Sequence, residues 1–291
     1  MARLVSFEVE GRRRPGALKG EHVMDLAAAG MPAGEHGDLM AIARGGKDLL
    51  RQMNAEIAAW SAPIYELKNV TLCAPIHRPE KIIGIGLNYI DHCKEAGLPV
   101  PDLPVVFTKH SNTSAGPYDD VCWHADVTSQ VDYEVELGVV IGRPASRVAE
   151  AEALDYVLGY AAVNDVSARD LQLRPPGQWD LGKSLDGFCP WGPAIVTADE
   201  APDPQTLDIS LKVNGETRQS SNTKNMVFGV AYLISYLSRV MTLSPGDLIA
   251  TGTPFGVILG MNPKIWLKDG DVCETDVAGI GTLRNRMRVI G

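Results

Sequence analysis

The segment Val131-Asp132-Tyr133-Glu134-Val135-Glu136-Leu137-Gly138-Val139-Val140-Ile141 alternates acidic with apolar residues before it becomes apolar throughout. Successive side chains of a β-strand point to opposite faces, so the pattern predicts one strand with Asp132, Glu134 and Glu136 on a single face. Neighbours on that face are about 6.5–7 Å apart at the backbone, which lets two glutamates reach one cation. The apolar run predicts burial, and unpaired buried carboxylates are costly. A hard divalent cation would resolve this conflict, although a half-exposed strand with a solvated acidic face gives the same alternation.

A second polar cluster, Asn164-Asp165-Val166-Ser167, follows the apolar run of residues 159–163. Asp165 is therefore a candidate third oxygen ligand, but such residues are also common in turns and helix caps. Arg169 and Gln172 are three positions apart, so they are predicted to be neighbours if the chain is helical after Ser167.

A histidine segment, GIGLNYIDHCKE over residues 84–95, starts like a strand that enters a glycine turn. It lacks the third glycine of a dinucleotide-binding fingerprint and no clear β-α-β unit follows, so a nucleotide fold is disfavoured. His92 and Glu95 have the spacing of neighbours on one helix face, where the carboxylate raises the basicity of the imidazole and fixes its tautomer. The pair is a candidate general base or, alternatively, a surface pair.

The composition excludes some classes of function. With 27 basic and 36 acidic side chains the net charge is -9, which disfavours a nucleic-acid partner. The five cysteines are odd in number and form no C-x-x-C, which indicates a reducing compartment rather than a disulfide framework or a thiolate zinc site. Without a signal-like or membrane-spanning apolar run, we expect a cytoplasmic protein with no membrane partner.

Many short strand-like runs and few helices predict a mainly β fold with some α, an α+β class. Residues 1–72 are predicted to form a small N-terminal α+β domain with helical spacing over residues 39–60, and residues 73–291 the main domain. An amphipathic helix is predicted over residues 226–237, with Asn225 as its cap. The predicted strands of the main domain are residues 81–85, 105–108, 131–141, 157–163, 194–196, 207–213 and 248–251.

Taken together, seven ordered motifs resemble the fumarylacetoacetate hydrolase superfamily over roughly residues 75–291. They are GLNYxxHxxE (86–95), FxK (107–109), DYEVELxxVIG (132–142), NDVSARDxQ (164–172), GKSxDxFCPxGP (182–193), VNGExxQxSNT (213–223) and PGDxIxTGTPxGV (245–257). The resemblance implies a mixed β-sandwich roll with a small N-terminal domain, usually in a homodimer.

The resemblance also implies roles for individual residues. Mg²⁺ or Mn²⁺, with Ca²⁺ as a further possibility, is expected on Glu134, Glu136 and Asp165. Catalytic roles fall on His92, Glu95 and Lys183, and the first two belong to a segment that orders over the substrate. Substrate contacts are expected from Tyr89, Lys109, Arg169, Gln172 and Thr253.

Such a site suits more than one reaction. The first interpretation is hydrolysis of a carbon–carbon bond in a 2,4-diketo acid, an acylpyruvate-type substrate, which gives a 2-oxo acid such as pyruvate and a carboxylic acid. The alternative is decarboxylation or keto–enol tautomerisation of oxaloacetate at the same metal site. A silent binding or scaffold protein is disfavoured, because the predicted ligands, base and lysine are all present.

Overall fold

The structure, a computed structural model, describes residues 3–60, 62–201 and 203–291. Residues 1, 2 and 61 of the predicted N-terminal domain and residue 202 of the predicted main domain lie outside the described residues. The first elements along the chain are β1 (Arg3–Val9), β2 (Arg12–Lys19), β3 (His22–Asp25), α1 (Met40–Arg44), α2 (Gly46–Ala59), β4 (Ile64–Glu66) and β5 (Thr71–Cys73).

The remaining elements follow in a largely β order. They are β6 (Ile82–Gly86), α3 (Ile90–Ala96), β7 (Val105–Lys109), β8 (Ser114–Ala115), β9 (Val121–His124), β10 (Val131–Asp132), β11 (Val135–Ile141), β12 (Val157–Asn164), β13 (Ser167–Ala168), α4 (Arg169–Gln172), α5 (Trp179–Lys183), β14 (Cys189–Thr197), β15 (Asp208–Val213), β16 (Glu216–Asn222), α6 (Val230–Ser238), β17 (Leu248–Ala250), β18 (Val272–Val277) and β19 (Gly281–Ile290).

Two large sheets form the framework. The larger has the strand order β4-β3-β2-β1-β14-β12-β11-β17-β6-β7, with β5 paired to β1 and β8 paired to β14. The smaller has the order β16-β15-β18-β19-β9, and β10 pairs with β13 as a separate short ribbon. Most pairs are antiparallel, while β17–β6, β14–β8 and β19–β9 are parallel. The expectation of a mainly β, mixed sandwich is therefore confirmed.

The central strand β11 is buried on both faces. Odd-numbered side chains such as Leu137 and Val139 belong to the core that also contains Leu211 and Val277 of the smaller sheet. Val140, on the opposite face, belongs to the core that includes residues of α1 and α2. This double burial explains why the apolar run is continuous.

The N-terminal strands extend the larger sheet. Arg3 and Leu4 of β1 pair with Val196 and Ile195 of β14. The core beneath this part of the sheet also mixes side chains from both predicted domains. The division between residues 72 and 73 stays a prediction, within a sheet that is continuous across it.

Four predicted elements differ clearly in their bounds, and one of them is the strand predicted over residues 194–196, which extends from Cys189 to Thr197. The strand over residues 131–141 is divided at Tyr133 and Glu134, because β10 pairs with β13 while β11 pairs with β12. The helical segment at residues 39–60 is two helices, α1 and α2.

The last of these differences is the start of the helix predicted over residues 226–237. It begins at Val230 after Gly229, and Asn225 ends a 3-10 turn instead of capping it. Met226 continues the apolar spacing, but it is extended and bridges to Tyr89.

No helix in the described part of the chain is long and apolar enough to cross a membrane.

Close packing between β12 and β14 gives a test of this framework. A Cβ atom on Gly159 would lie 2.2 Å from the backbone oxygen of Val196, so the two strands must separate. We expect Gly159→Ala to lower the free energy of unfolding by about 1–3 kcal/mol in urea denaturation. Val240→Ala, at a side chain that is 77% exposed, is the control and should change it by about 0.5 kcal/mol or less. Equal effects of the two changes would contradict the register.

Candidate active site

Three buried carboxylates meet where two neighbouring strands end. Glu134, Glu136 and Asp165 each offer an oxygen atom, and these atoms all lie within 4.8 Å of one another. In the ladder between β11 and β12, Val135 is opposite Asn164, which places Glu134 beside Asp165. The Asp165 amide donates to the Glu134 carbonyl oxygen at 2.9 Å, which fixes the two strand ends. The structure thus brings together the three predicted ligands.

Buried basic side chains surround two of these carboxylates. Lys183 Nζ donates to Glu134 Oε2 at 2.6 Å and to Asp165 Oδ2 at 2.8 Å. Arg169 Nη2 donates to Glu134 Oε1 at 2.6 Å. Burial alone would raise the pKa of Glu134, but Lys183 and Arg169 outweigh it and lower that pKa to about 2. Glu134 is therefore held as a carboxylate.

Glu136 is in a different situation. Its Oε2 atom accepts a hydrogen bond from the Gly252 amide at 2.8 Å, and it forms no ion pair within the described residues. Burial, followed by the nearby charges of Asp165 and Glu134, holds its pKa well above the usual range. The charge of Lys183 and the Gly252 hydrogen bond act in the opposite direction, but they do not outweigh burial and the two acids.

The charge balance around the triad fits a cation. Asp132 and the triad supply four buried carboxylates, against the three basic groups of Lys109, Arg169 and Lys183. When all four are ionised, as they are with a bound cation, one negative charge has no basic partner, and Glu136 is the acid without an ion pair among the described residues. Carboxylate oxygens at this spacing suit a hard divalent ion such as Mg²⁺ or Mn²⁺. The residues present therefore fit the metal that the sequence predicts.

His92 and Glu95 form a pair on helix α3. Their Nδ1 and Oε2 atoms are 3.2 Å apart, as the spacing of three residues predicts. The other carboxylate oxygen of Glu95 accepts from the Gly256 amide at 2.9 Å, and Asp91 accepts from the Ser221 hydroxyl at 2.9 Å. These bonds hold α3 against the loop and strand that face it, so the imidazole has a fixed neighbour on one side.

One cavity of about 730 Å³ joins the two groups. Its wall includes His92, Glu95, Glu134 and Glu136, together with the predicted side chains of Arg169, Gln172, Lys183 and Thr253. Much of the remaining wall is apolar, contributed by Ile85, Leu87, Leu98, Phe107, Leu173, Trp179, Val257, Leu259 and Met261. A polar floor with apolar sides is typical of a site that binds a small organic acid.

Two of the predicted substrate contacts lie elsewhere. Lys109 Nζ is 2.7 Å from Asp165 Oδ1 and donates to the Val166 carbonyl, and its side chain is not part of the cavity wall. Tyr89 is fully buried and also absent from that wall. Its hydroxyl has no hydrogen-bond partner among the described residues. Burial, then Glu136 and Asp91, raises its pKa.

Several positioning residues were missed by sequence reasoning. Asp132 accepts from Arg169 Nε at 2.9 Å and from the Ile258 amide at 2.8 Å, so it holds the arginine and a loop instead of joining the triad. Gln219 accepts from the Val135 amide and donates to Thr253 Oγ1, both at 2.8 Å. Asp132 begins the motif of residues 132–142 and Gln219 belongs to the motif of residues 213–223, so membership of a motif was the sequence signal that could have identified them.

Gly182 is a further residue without an assigned role in the sequence analysis. A Cβ atom there would lie 2.6 Å from backbone atoms of Gln172, so α5 packs directly on α4 only with glycine at this position. This contact packs the backbone just before Lys183 against Gln172, which explains the glycine at position 182.

Comparisons with known proteins agree with the fold and with the family resemblance. The sequence model described as fumarylacetoacetate (FAA) hydrolase C-terminal matches residues 81–288. The human mitochondrial oxaloacetate tautomerase FAHD2A (Homo sapiens) is 44% identical over 226 residues, which cover 77% of this chain and 72% of that protein.

Two solved structures are similar over essentially the whole chain. A fumarylacetoacetate hydrolase from psychrophilic Exiguobacterium antarcticum is 40% identical, with a TM-score of 0.85 and complete coverage of both chains. A maleylpyruvate hydrolase from Sphingobium sp. SYK-6, in complex with manganese(II) and pyruvate, is 31% identical with a TM-score of 0.82. That alignment covers 99% of this chain and 100% of the other.

Removal of one triad carboxylate tests the metal site. We expect the protein to bind one Mn²⁺ in a calorimetric titration, and Glu136→Gln to weaken that binding at least about 100-fold, because an oxygen ligand and its charge are lost together. Glu95→Gln is the matched control, since it changes a carboxylate of the same cavity outside the triad and should leave the Mn²⁺ affinity within about threefold. Equal Mn²⁺ affinity in Glu136→Gln would refute the site.

Proposed function

The chain belongs to the fumarylacetoacetate hydrolase family, and we propose that it hydrolyses a carbon–carbon bond in a 2,4-diketo acid with a divalent ion held by Glu134, Glu136 and Asp165. The products are a 2-oxo acid such as pyruvate and a carboxylic acid. Mg²⁺ or Mn²⁺ is the proposed ion. We also propose a cytoplasmic homodimer, in line with the composition and with the family resemblance.

The supporting observation is that a His–Glu pair shares a cavity with two of the three acids, Glu134 and Glu136, while Asp165 lies buried directly behind them. Hydrolysis needs a base for water, and His92 with Glu95 at 3.2 Å provides one on the cavity wall. When bound, the ion supplies Lewis-acid polarisation of the 2-oxo acid, which favours enolate character at the adjacent carbon. A base and a polarising centre on one cavity are what this reaction requires.

The side chains of the cavity divide the remaining tasks. His92 takes a proton from water as the water oxygen bonds to the distal carbonyl carbon, while Glu95 stabilises the imidazolium. Gln172 keeps its amide nitrogen for the oxyanion, because its oxygen already accepts from Arg169 Nη1 at 2.8 Å. Lys183 uses two ammonium hydrogens on Glu134 and Asp165, and the third is available to the same oxyanion.

Collapse of the tetrahedral adduct breaks the bond between carbons 3 and 4. The electron pair stays with the 2-oxo acid fragment, and His92 returns its proton to that fragment. Thr253 Oγ1 already accepts from Gln219, so its hydroxyl hydrogen is available for the substrate carboxylate. Gln172, Lys183 and Thr253 are thus each assigned a role that uses a donor hydrogen not engaged in the hydrogen bonds described above.

Oxaloacetate tautomerase is the second candidate. The observation that favours it is the 44% identity to a mitochondrial oxaloacetate tautomerase over 77% of this chain. Enolisation needs the same polarised 2-oxo acid and only a proton shuttle, which His92 could also provide. The volume of about 730 Å³ favours larger substrates than a four-carbon acid, so hydrolysis remains our first proposal.

A reconstituted assay separates the two functions. Metal-stripped protein is reloaded with Mg²⁺ or Mn²⁺, and product release from a panel of acylpyruvates is measured beside oxaloacetate tautomerisation and decarboxylation. We expect metal-dependent acylpyruvate hydrolysis, with kcat at least about 100-fold lower in His92→Ala because the general base is lost. His124→Ala, at an exposed histidine outside the cavity wall, should retain full activity. Activity on oxaloacetate alone would replace hydrolysis with the second candidate.

A further inference from the structure

Asn88 is a buried polar residue with no role in the reaction proposed above. It is 0% exposed, and it lies between Leu87, which lines the cavity, and Tyr89, after which helix α3 begins. Asn88 itself is not part of the cavity wall. A buried side-chain amide needs partners for two donor hydrogens and for its oxygen atom, so its contacts show which segments it joins.

The side chain of Asn88 joins two segments that are far away in sequence. Its Nδ2 atom donates to the Thr251 carbonyl oxygen at 2.7 Å and to the Phe228 carbonyl oxygen at 3.1 Å, and its Oδ1 atom accepts from the Phe228 amide at 2.8 Å. The Asn88 carbonyl oxygen also accepts from the Val227 amide at 2.8 Å. Both donor hydrogens are therefore engaged, and the chain before α3 is bonded to the chain after β17 and to the chain before α6.

The peptide group between Thr251 and Gly252 connects Asn88 with the carboxylate triad. Its oxygen atom accepts from Asn88 Nδ2, and its N–H group donates to Glu136 Oε2 at 2.8 Å. Hydrogen bonds at the two ends of one peptide group polarise each other, so each strengthens the other. The same segment is fixed to β11, because the Thr251 hydroxyl donates to the Leu137 carbonyl oxygen at 2.8 Å. One peptide group thus separates Asn88 from Glu136.

We propose that Asn88 is a positioning residue for the metal ligand Glu136. It orients the Thr251–Gly252 peptide group so that the N–H holds one carboxylate oxygen of Glu136, and the other oxygen remains for the ion. Glu136 depends on this support because it forms no ion pair among the described residues, whereas Glu134 and Asp165 are held by buried basic side chains. This inference rests on the proposed function, since the site that Asn88 serves is the proposed metal site.

The backbone around Asn88 is shaped for this close contact. A Cβ atom on Gly252, where φ is +97°, would lie 2.7 Å from Asn88 Cβ and 2.9 Å from the Ile85 carbonyl oxygen. Leu87 has a φ of 54°, in the left-handed region that is unfavourable for leucine. Such a conformation persists where neighbouring contacts fix it, and the hydrogen bonds of the next residue, Asn88, supply them. The turn at Leu87 and the glycine at position 252 together let the side-chain amide reach the peptide group.

Calorimetric titration of the metal-free protein with Mn²⁺ tests this role without turnover. Asn88→Leu keeps a similar side-chain volume but removes both donors, so the Thr251–Gly252 peptide group loses the partner that orients it. We expect the Mn²⁺ affinity to fall about tenfold or more, as it typically does when a group that orients a metal ligand is replaced. Asn88→Ala leaves room for water at the two carbonyl oxygens, which preserves folding if leucine does not, and the same loss of affinity is expected.

Asn222→Leu is the matched control. Asn222 Nδ2 donates to the Thr206 carbonyl oxygen at 3.1 Å and to Asp208 Oδ1 at 2.7 Å, and Asn222 Oδ1 accepts from the Lys224 amide at 3.0 Å. Its side chain therefore makes the same kinds of hydrogen bond as Asn88, but it does not line the cavity or contact the triad. Asn222→Leu should lower the melting temperature but leave the Mn²⁺ affinity within about twofold of the native value.

A measurement on the native protein needs no substitution. Addition of Mg²⁺ should shift the Asn88 side-chain amide resonances together with the Gly252 amide resonance in NMR spectra. Unchanged Asn88 resonances on Mg²⁺ binding, or a native Mn²⁺ affinity in a folded Asn88 variant, would overturn the role of Asn88 and leave the triad in place. A native protein that binds neither ion would instead remove the proposed metal site, and with it the proposed function.

Discussion

The concentration of buried negative charge at the end of β11 is the constraint on which the rest of the site depends. Each carboxylate that leaves water loses several kcal/mol of hydration, so the chain must return that loss through partners. Lys183 and Arg169 form ion pairs with Glu134, and Lys109 forms an ion pair with Asp165. Glu136 forms no ion pair with a basic side chain among the described residues. The buried site therefore has one more carboxylate than it has basic groups. A divalent cation fits this excess of negative charge.

Much of this could be predicted from sequence because the decisive signals are local. Alternation placed Glu134 and Glu136 on one side of a strand, and a spacing of three residues predicted the His92–Glu95 contact. The unpredicted features depend on partners distant in sequence. The strand is interrupted at Tyr133 because the residues before it pair with β13 and the residues after it pair with β12. The period of the side chains is the same on both sides, so it does not reveal this change of partner. Lys109 was expected to contact substrate, but only the packed structure shows that it pairs with Asp165 and does not line the cavity.

The reaction is less determined than the site, for a chemical reason. Hydrolysis, decarboxylation and tautomerisation of 2-oxo acids all require the same polarised carbonyl group, so three acids that could hold a metal ion do not choose among these reactions. The choice depends on which groups face the atoms beyond that carbonyl. Here the cavity wall carries the His92 imidazole, the Gln172 amide and apolar side chains, and these groups are the basis on which we propose hydrolysis.

The pairing of β1 with β14 has a consequence for how the catalytic region can exist by itself. The region that matches the family begins at residue 81, yet β14 lies between β12 and β1 in the larger sheet. If the first 80 residues were cut away, the backbone groups of Val196 and Ile195 that pair with β1 would become a bare sheet margin. Such margins recruit strands from other molecules and promote aggregation. In the intact chain, β1 occupies this edge of β14 and so prevents it from pairing with a strand of another molecule.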